Sequence, residues 1–230
     1  MDDADGARPT RSEGREPPRP PAALLLDMDG VLVDTEERWD RVERRLLDRA
    51  GAGSVPRDAV RGIAVDETYA ILAERADLSV DRETFAAWYD EAATEEVYPD
   101  APLLPGASGL VADARAGGVP VAVVSSAAPS WIDAVLGRID AAVDAAVSGG
   151  AIDRPGKPDP APYEVAAGRL GAVPGDCVAV DDSAVGVESA RAAGAYVVGY
   201  GADDDDRSAA HERVTEPAAL VERLRELTGV

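Results

Sequence analysis

Lysine is almost missing from this chain of 230 residues: of its 23 basic side chains only Lys157 is a lysine, the rest being arginines. Cysteine and histidine occur once each, as Cys177 and His211. A lone cysteine excludes an internal disulfide and suits a reducing compartment, so a cytoplasmic location is expected. Cys177 lies in an apolar run and reads as a buried small hydrophobe. No cluster of histidines and cysteines is present to compete for a softer metal. No stretch of 18 apolar residues occurs, so no membrane span is expected. Basic stripes are absent too, and a net charge of −21 speaks against a nucleic-acid partner. Neither the glycine-rich dinucleotide signature nor the P-loop signature is found. Residues 1–21 lack the apolar segment of a signal peptide and, rich in Arg, Pro and acids, read as a disordered tail.

What is abundant is acid. Aspartate outnumbers glutamate 27 to 17, and these carboxylates are spread along the chain, as on a solvated acidic surface. Such an acidic, lysine-poor, alanine-rich composition resembles that of proteins from salt-accumulating cells, and a halophilic protein is expected. A chain of 230 residues is long enough for one domain with a smaller insert.

The stretch Leu24-Leu25-Leu26-Asp27-Met28-Asp29-Gly30 reads as a buried strand running into a carboxylate-rich turn. Helical spacing follows over 36–50, around 66–76 and over about 82–97, the last with Asp81 as N-cap, and no strand is expected between 36 and 103. Beyond Pro105-Gly106 the rhythm becomes alternating helix and strand. Helices are expected near 107–116, from Pro129, near 160–170, over 184–193 and over 217–228. Strands are expected at Val119–Val124, 145–148, Cys177–Val180 and Tyr196–Tyr200. Asp203–Asp206 reads as a solvated loop, and His211 in its acidic surroundings as exposed. The alternation predicts an α/β fold with a mainly parallel sheet covered on both faces.

Three of the strands end on polar groups: Asp27 and Asp29, Ser125 and Ser126, Asp181 and Asp182. Parallel strands present their carboxyl ends on one edge, so these groups should converge there. Lys157 sits in the proline-stiffened loop Gly156-Lys157-Pro158-Asp159-Pro160. A lysine meets a phosphate as a compact point charge, where the arginine fork needs more room. Several carboxylates in one place raise each other's pKa values. Mg²⁺ would resolve that crowding, taking carboxylates, carbonyls, water and phosphate oxygens into its octahedron.

Asp27-Met28-Asp29-Gly30 with Asp34-Thr35, then Ser125, then Lys157, then Asp181-Asp182-Ser183 resemble the four ordered motifs of the haloacid dehalogenase-like superfamily. The resemblance covers about residues 23–200, and the helical insert is similar to that of the β-phosphoglucomutase-like sugar phosphatases. It implies a Rossmann-like core of residues 22–36 and 104–230 with a helical cap of residues 37–103, hinged near Asp34–Glu36 and Pro102–Pro105. It further implies that Asp27 is the nucleophile and Asp29 the general acid and base. Ser125, Ser126 and Lys157 would hold the phosphoryl group, and Asp27, Asp29 through its carbonyl, Asp181 and Asp182 would bind Mg²⁺.

The expected function is Mg²⁺-dependent hydrolysis of a small phosphorylated metabolite: a sugar, polyol or hydroxy-acid phosphate such as phosphoglycolate. Arg38, Trp39, Arg61 and Glu67 are candidates for contact with its alcohol portion. A phosphosugar mutase is the alternative within the family. Against it, the cap carries Trp39 where a histidine is expected, and the Ile63-Ala64-Val65-Asp66-Glu67 stretch lacks the arginine expected to grip a second phosphate. A phospho-aspartate signalling or binding module is the alternative of another class. The Asp27/Asp29 pair and the insert favour turnover over signalling, and the complete set of carboxylates with Lys157 counts against a mere binding protein. Oligomeric state stays open, with a monomer favoured. Screening among 44 acids should make folding and activity rise with salt. The melting temperature in 2 M KCl is therefore expected well above that in dilute buffer, and equal values would remove the halophilic reading.

Overall fold

The computed structural model describes residues 10–11, 15–201 and 209–230. Seven strands form its sheet: β1 (Thr10–Arg11), β2 (Ala23–Leu26), β3 (Val121–Ser125), β4 (Ala145–Ser148), β5 (Cys177–Asp181), β6 (Tyr196–Tyr200) and β7 (Glu212–Val214). Their spatial order is β1-β7-β6-β5-β2-β3-β4, with only β1 antiparallel to its neighbour. This is a Rossmann-like α/β architecture. Strands β2, β3, β5 and β6 are buried along their whole length, which is why they read as continuous apolar runs.

Helices α1 (Glu36–Arg49), α2 (Val65–Arg75) and α3 (Arg82–Ala92) all fall between β2 and β3, followed by α4 (Ala107–Ala116). The remaining helices, α5 (Pro129–Leu136), α6 (Ala161–Arg169), α7 (Ala184–Ala192) and α8 (Pro217–Thr228), alternate with strands. Successive side chains of a strand point to opposite faces, so the core splits into two layers. Leu24, Leu26, Val121, Val123, Val178 and Val180 pack towards α4, α5 and α8. Leu25, Ala122, Val124 and Ala179 pack against Tyr163 and Ala166 of α6 and Val187 and Ala190 of α7.

From β2 the chain moves outward to β3 and β4, then crosses back to lay β5 on the other side of β2. The reversal between β2 and β5 opens a crevice at their carboxyl ends, the usual ligand position in such sheets. The two connections between the sheet and α1–α3 run side by side. Val33 forms an antiparallel bridge with Leu103, the Asp34 amide donates to Pro102 O at 2.8 Å, and the Leu104 amide donates to Leu32 O at 3.0 Å.

Several expectations need correction. The third strand starts at Val121, not Val119. The Val119 amide is taken by Ala114 O at the end of α4, and Pro120 has no N–H to give a ladder. Helix α3 is regular only to Ala92, and residues Ala93–Val97 continue it as a wider π-turn. The 1–21 stretch is not wholly free of structure: Thr10–Arg11 pairs with β7, and the Arg15 guanidinium donates to Gly194 O and Gly175 O at 2.8 and 2.6 Å. The rest of residues 1–14, like Asp203–Asp206, lies outside the described residues.

His211 is buried, with 5% of its surface exposed. It enters the sheet one residue before β7, its amide donating to Val197 O and its Nδ1 accepting from the Val197 amide, both at 2.9 Å. The ring stacks on Tyr196 at 4.6 Å with Arg191 against Nε2. β7 opens on Glu212, fully buried and bonded by Arg223 and Tyr196, so no apolar alternation announces the strand. Burial, reinforced by Arg191, pushes the His211 pKa down to about 4. The folded protein therefore binds fewer protons there than the unfolded chain between about pH 4 and the ordinary histidine value near 6.5. That contribution is present above pH 6.5 and is lost as the pH falls towards 4. The urea midpoint is expected to drop between pH 7 and pH 4.5, and to drop less in His211→Asn.

Candidate active site

Asp27 follows the last residue of β2, and its amide still donates to Val180 O at 2.9 Å, holding it level with the end of β5. Asp181 is that end. The Lys157 ammonium lies between them, 2.7 Å from Asp27 Oδ1 and 2.7 Å from Asp181 Oδ2. All three are buried: Lys157 is 3% exposed, Asp27 6% and Asp181 0%. The other acceptor sites of Asp181 are filled by the Tyr163 hydroxyl at 2.6 Å and by the Ser183 amide and hydroxyl at 2.9 and 2.8 Å. Ser183 Oγ also accepts from the Gly186 amide, capping α7. A Cβ on Gly186 would come within 2.1 Å of both Asp181 carboxylate oxygens, so only glycine leaves room for that carboxylate.

Asp182 points back across the crevice, and a Cβ on Gly30 would lie 2.2 Å from its Oδ2. Gly30 has φ +76°, a left-handed conformation that glycine takes without strain. The turn therefore needs glycine twice over, for its backbone and for the approaching carboxylate. One ligand oxygen each from Asp27, Asp181 and Asp182 lies within 4.8 Å of the others. Burial first, then the neighbouring Asp181 charge, raises the Asp182 pKa to about 7. Burial also raises Asp27 well above the usual carboxylate range, against the pull of Lys157 and with Asp181, Asp182 and Asp29 adding to it. Lys157 responds in kind: burial alone would lower it, but Asp181 and Asp27 more than offset that and hold it firmly charged. Three carboxylates against one ammonium leave negative charge unmatched, and a hard divalent cation fits that donor set.

Asp29 is held apart from this cluster. It accepts from the Thr35 hydroxyl at 2.6 Å and from the Tyr98 hydroxyl at 3.1 and 3.2 Å. Thr35 occupies the N-cap of α1 but makes no side-chain cap bond; its hydroxyl is spent on Asp29. Burial raises the Asp29 pKa against hydrogen bonds from Thr35, Tyr98 and Trp39, so the carboxyl keeps its proton to a higher pH than an ordinary aspartate.

These groups open on a cavity of about 110 Å³ between the sheet edge and α1–α3. The structure brings Asp27, Asp29, Ser125, Ser126, Lys157 and Asp182 to its wall, together with Trp39 and Arg61. Ser125 Oγ accepts from the Ala127 amide at 3.1 Å, and the Ser126 hydroxyl donates to Gly62 O at 2.8 Å. Arg61 lies 2.5 Å from Glu36 and 3.9 Å from Asp182. Two expected substrate contacts fall elsewhere. Arg38 donates to the carbonyls of Glu96, Val97 and Asp100, tying α1 to the turn before Pro102. Glu67 accepts from the Gly156 amide at 3.0 Å and steadies the loop that carries Lys157. Tyr98, Tyr163 and Gly186 had no signal in the sequence, since each reads as packing or turn.

The chain matches the family described as haloacid dehalogenase-like hydrolase over residues 21–194. The chain belongs to the haloacid dehalogenase-like hydrolases. It is 31% identical to the plasmid protein CbbY of Cupriavidus necator, covering 75% of each chain. It is 30% identical to hexitol phosphatase B of Escherichia coli, over 76% of this chain and 82% of that one. Its fold is shared with the crystal structure of β-phosphoglucomutase from Clostridium difficile, with TM-score 0.74 and 22% identity over 90% of this chain and 97% of that chain. This haloacid dehalogenase-like enzyme keeps its four motifs at one sheet edge. Removing the ammonium leaves two buried carboxylates uncompensated, so Lys157→Met is expected to destabilise the metal-free protein by about 3–5 kcal/mol. Urea unfolding measures it, and a loss below about 1 kcal/mol would mean that the buried pair adds little.

Proposed function

We propose that the enzyme is a Mg²⁺-dependent phosphatase acting on a small phosphate monoester, with residues 37–103 serving as a helical cap over a cytoplasmic active site. The observation that carries this reading is the buried Asp27–Lys157–Asp181 array beside Asp182 at one end of the cavity. Asp27, the Asp29 carbonyl and Asp182 would hold the Mg²⁺ ion, while Asp181, expected as a further ligand, has its acceptor sites filled by Lys157, Tyr163 and Ser183 and supports the cluster from behind. The ion would supply charge stabilisation to the phosphoryl oxygens.

The chain's own residues carry the chemistry. An Asp27 carboxylate oxygen attacks phosphorus, the bond from phosphorus to the alcohol oxygen breaks, and an aspartyl phosphate forms. Asp29, whose burial raises its pKa, gives its proton to the departing alkoxide. As a carboxylate it then takes a proton from the water that attacks the phosphoryl group, which frees phosphate and restores Asp27. Thr35 and Tyr98 fix the Asp29 carboxyl through both steps. Lys157, Ser125 and the amides after it face the transferring group, where preoriented donors lower the barrier most. Contacts from Ser126 to Gly62 and from the Trp131 indole to Asp90 on α3, at 2.8 and 2.7 Å, draw the cap over the sheet edge. They exclude water from the first step.

The Ile63-Ala64-Val65-Asp66-Glu67 stretch carries no arginine to grip a second phosphate, which supports hydrolysis over mutase chemistry. Hexitol phosphatase B and the phosphoglycolate phosphatase of Nitrosospira multiformis support a sugar, polyol or hydroxy-acid ester as substrate. Asp27→Asn is expected to abolish phosphate release from p-nitrophenyl phosphate, by at least about 10³-fold, with circular dichroism unchanged. Chelation with EDTA should do the same reversibly. Turnover persisting in Asp27→Asn would sink the assignment, and a lasting phosphoprotein without turnover would point to signalling.

A further inference from the structure

The cavity has a second end, away from the carboxylate cluster. Its wall there is Trp39 and Glu43 of α1, Arg57 and Tyr89 of α3. It is joined to the reacting end through Tyr98, which touches Asp29 on one side and lies edge-on to Trp39 at 6.0 Å on the other. Tyr89 is 3% exposed, and its hydroxyl is the one buried side-chain polar atom without a hydrogen-bond partner among the described residues. The ring cannot swing away to satisfy it. Trp39 stacks on one side at 5.9 Å and Phe85 packs at 4.9 Å. A buried hydroxyl left unpaired costs free energy, and such a group in a native cavity wall calls for a partner that enters from outside.

The charges nearby say what kind of partner. Arg57 Nε donates to Glu43 Oε2 at 2.5 Å, and Arg57 Nη1 lies 3.5 Å from Asp40. Two carboxylates therefore already answer the Arg57 guanidinium, and the other guanidinium of the wall, Arg61, is paired with Glu36 at 2.5 Å. A ligand carboxylate or second phosphate would add negative charge to a corner with no cation to spare. A neutral hydroxyl suits it, since it can donate to Glu43 and accept from Tyr89. Burial and the Glu43 charge both keep the phenol protonated, so it stays a donor.

We propose that this end of the cavity binds the leaving alcohol as a neutral polyhydroxylated chain, its distal hydroxyls bonded by Tyr89 and the Glu43 carboxylate and its C–H groups lying on Trp39. The inference rests on the phosphatase reading and narrows it, favouring sugar and polyol monophosphates over hydroxy-acid phosphates and bisphosphates.

The test measures phosphate release with Mg²⁺ from sorbitol 6-phosphate, 2-phosphoglycolate, fructose 1,6-bisphosphate and p-nitrophenyl phosphate. Wild type is expected to prefer the hexitol ester in kcat/KM over the two anionic ones by about tenfold or more. Tyr89→Phe should raise KM for the hexitol ester about fivefold and lower its kcat/KM relative to p-nitrophenyl phosphate, with a melting temperature at or above wild type. Preference for glycolate or the bisphosphate overturns the proposal. So does an unchanged ratio in Tyr89→Phe, or a lower melting temperature, which would mean that the hydroxyl already has a partner. Release from none of the four esters would instead fell the phosphatase reading, and this one with it.

Discussion

A lysine buried between two aspartates governs the whole carboxyl edge of the sheet. Neither sign of charge is tolerable there alone: an isolated ion moved out of water costs several kcal/mol, and only close pairing with extra hydrogen bonds compensates it. Tyr163 and Ser183 supply those extra bonds to Asp181, Gly186 leaves the space, and Glu67 pins the loop from which Lys157 reaches in. The arrangement is balanced enough to fold and unbalanced enough to bind. Asp27 and Asp182 retain surplus charge, a donor set that a hard cation fits.

How much of this could be read beforehand differs from element to element. The central strands were legible because strands buried on both faces must be apolar throughout, as Leu24–Leu26 and Val178–Val180 are. The convergence of Asp27, Asp182 and Ser125 was legible because parallel connectivity fixes which strand ends share an edge, whereas Lys157, in a loop before α6, was legible only as the lone lysine of the chain and from the order of the motifs. Strand β7 was not, because it opens on a glutamate whose burial depends on Arg223, a residue of helix α8. His211 was misread for the same reason: local acidity says nothing about a partner strand brought in by the fold.

The wall of the cavity opposite the carboxylates was the least legible part. Arg38 and Glu67 were singled out for their charge and nearness to the first motif, yet both are consumed by backbone groups. Tyr98, Glu43, Arg57 and Tyr89 come from separate turns of a helical insert, and helical spacing alone does not say which face meets a ligand. Chemistry placed at strand ends is encoded by topology, whereas recognition placed on a helical insert is encoded by packing, which only coordinates reveal.

The twin crossings at Val33–Leu103 and Asp34–Pro102 carry a mechanical implication. Two chain segments laced together by hydrogen bonds behave as one short ribbon, stiff against shear and soft against bending about its own width. A swing of the helices about that ribbon would have to part the contacts that tie them to the sheet side, Ser126 to Gly62 and Trp131 to Asp90. A small angle at the ribbon thus becomes a gap at those two contacts.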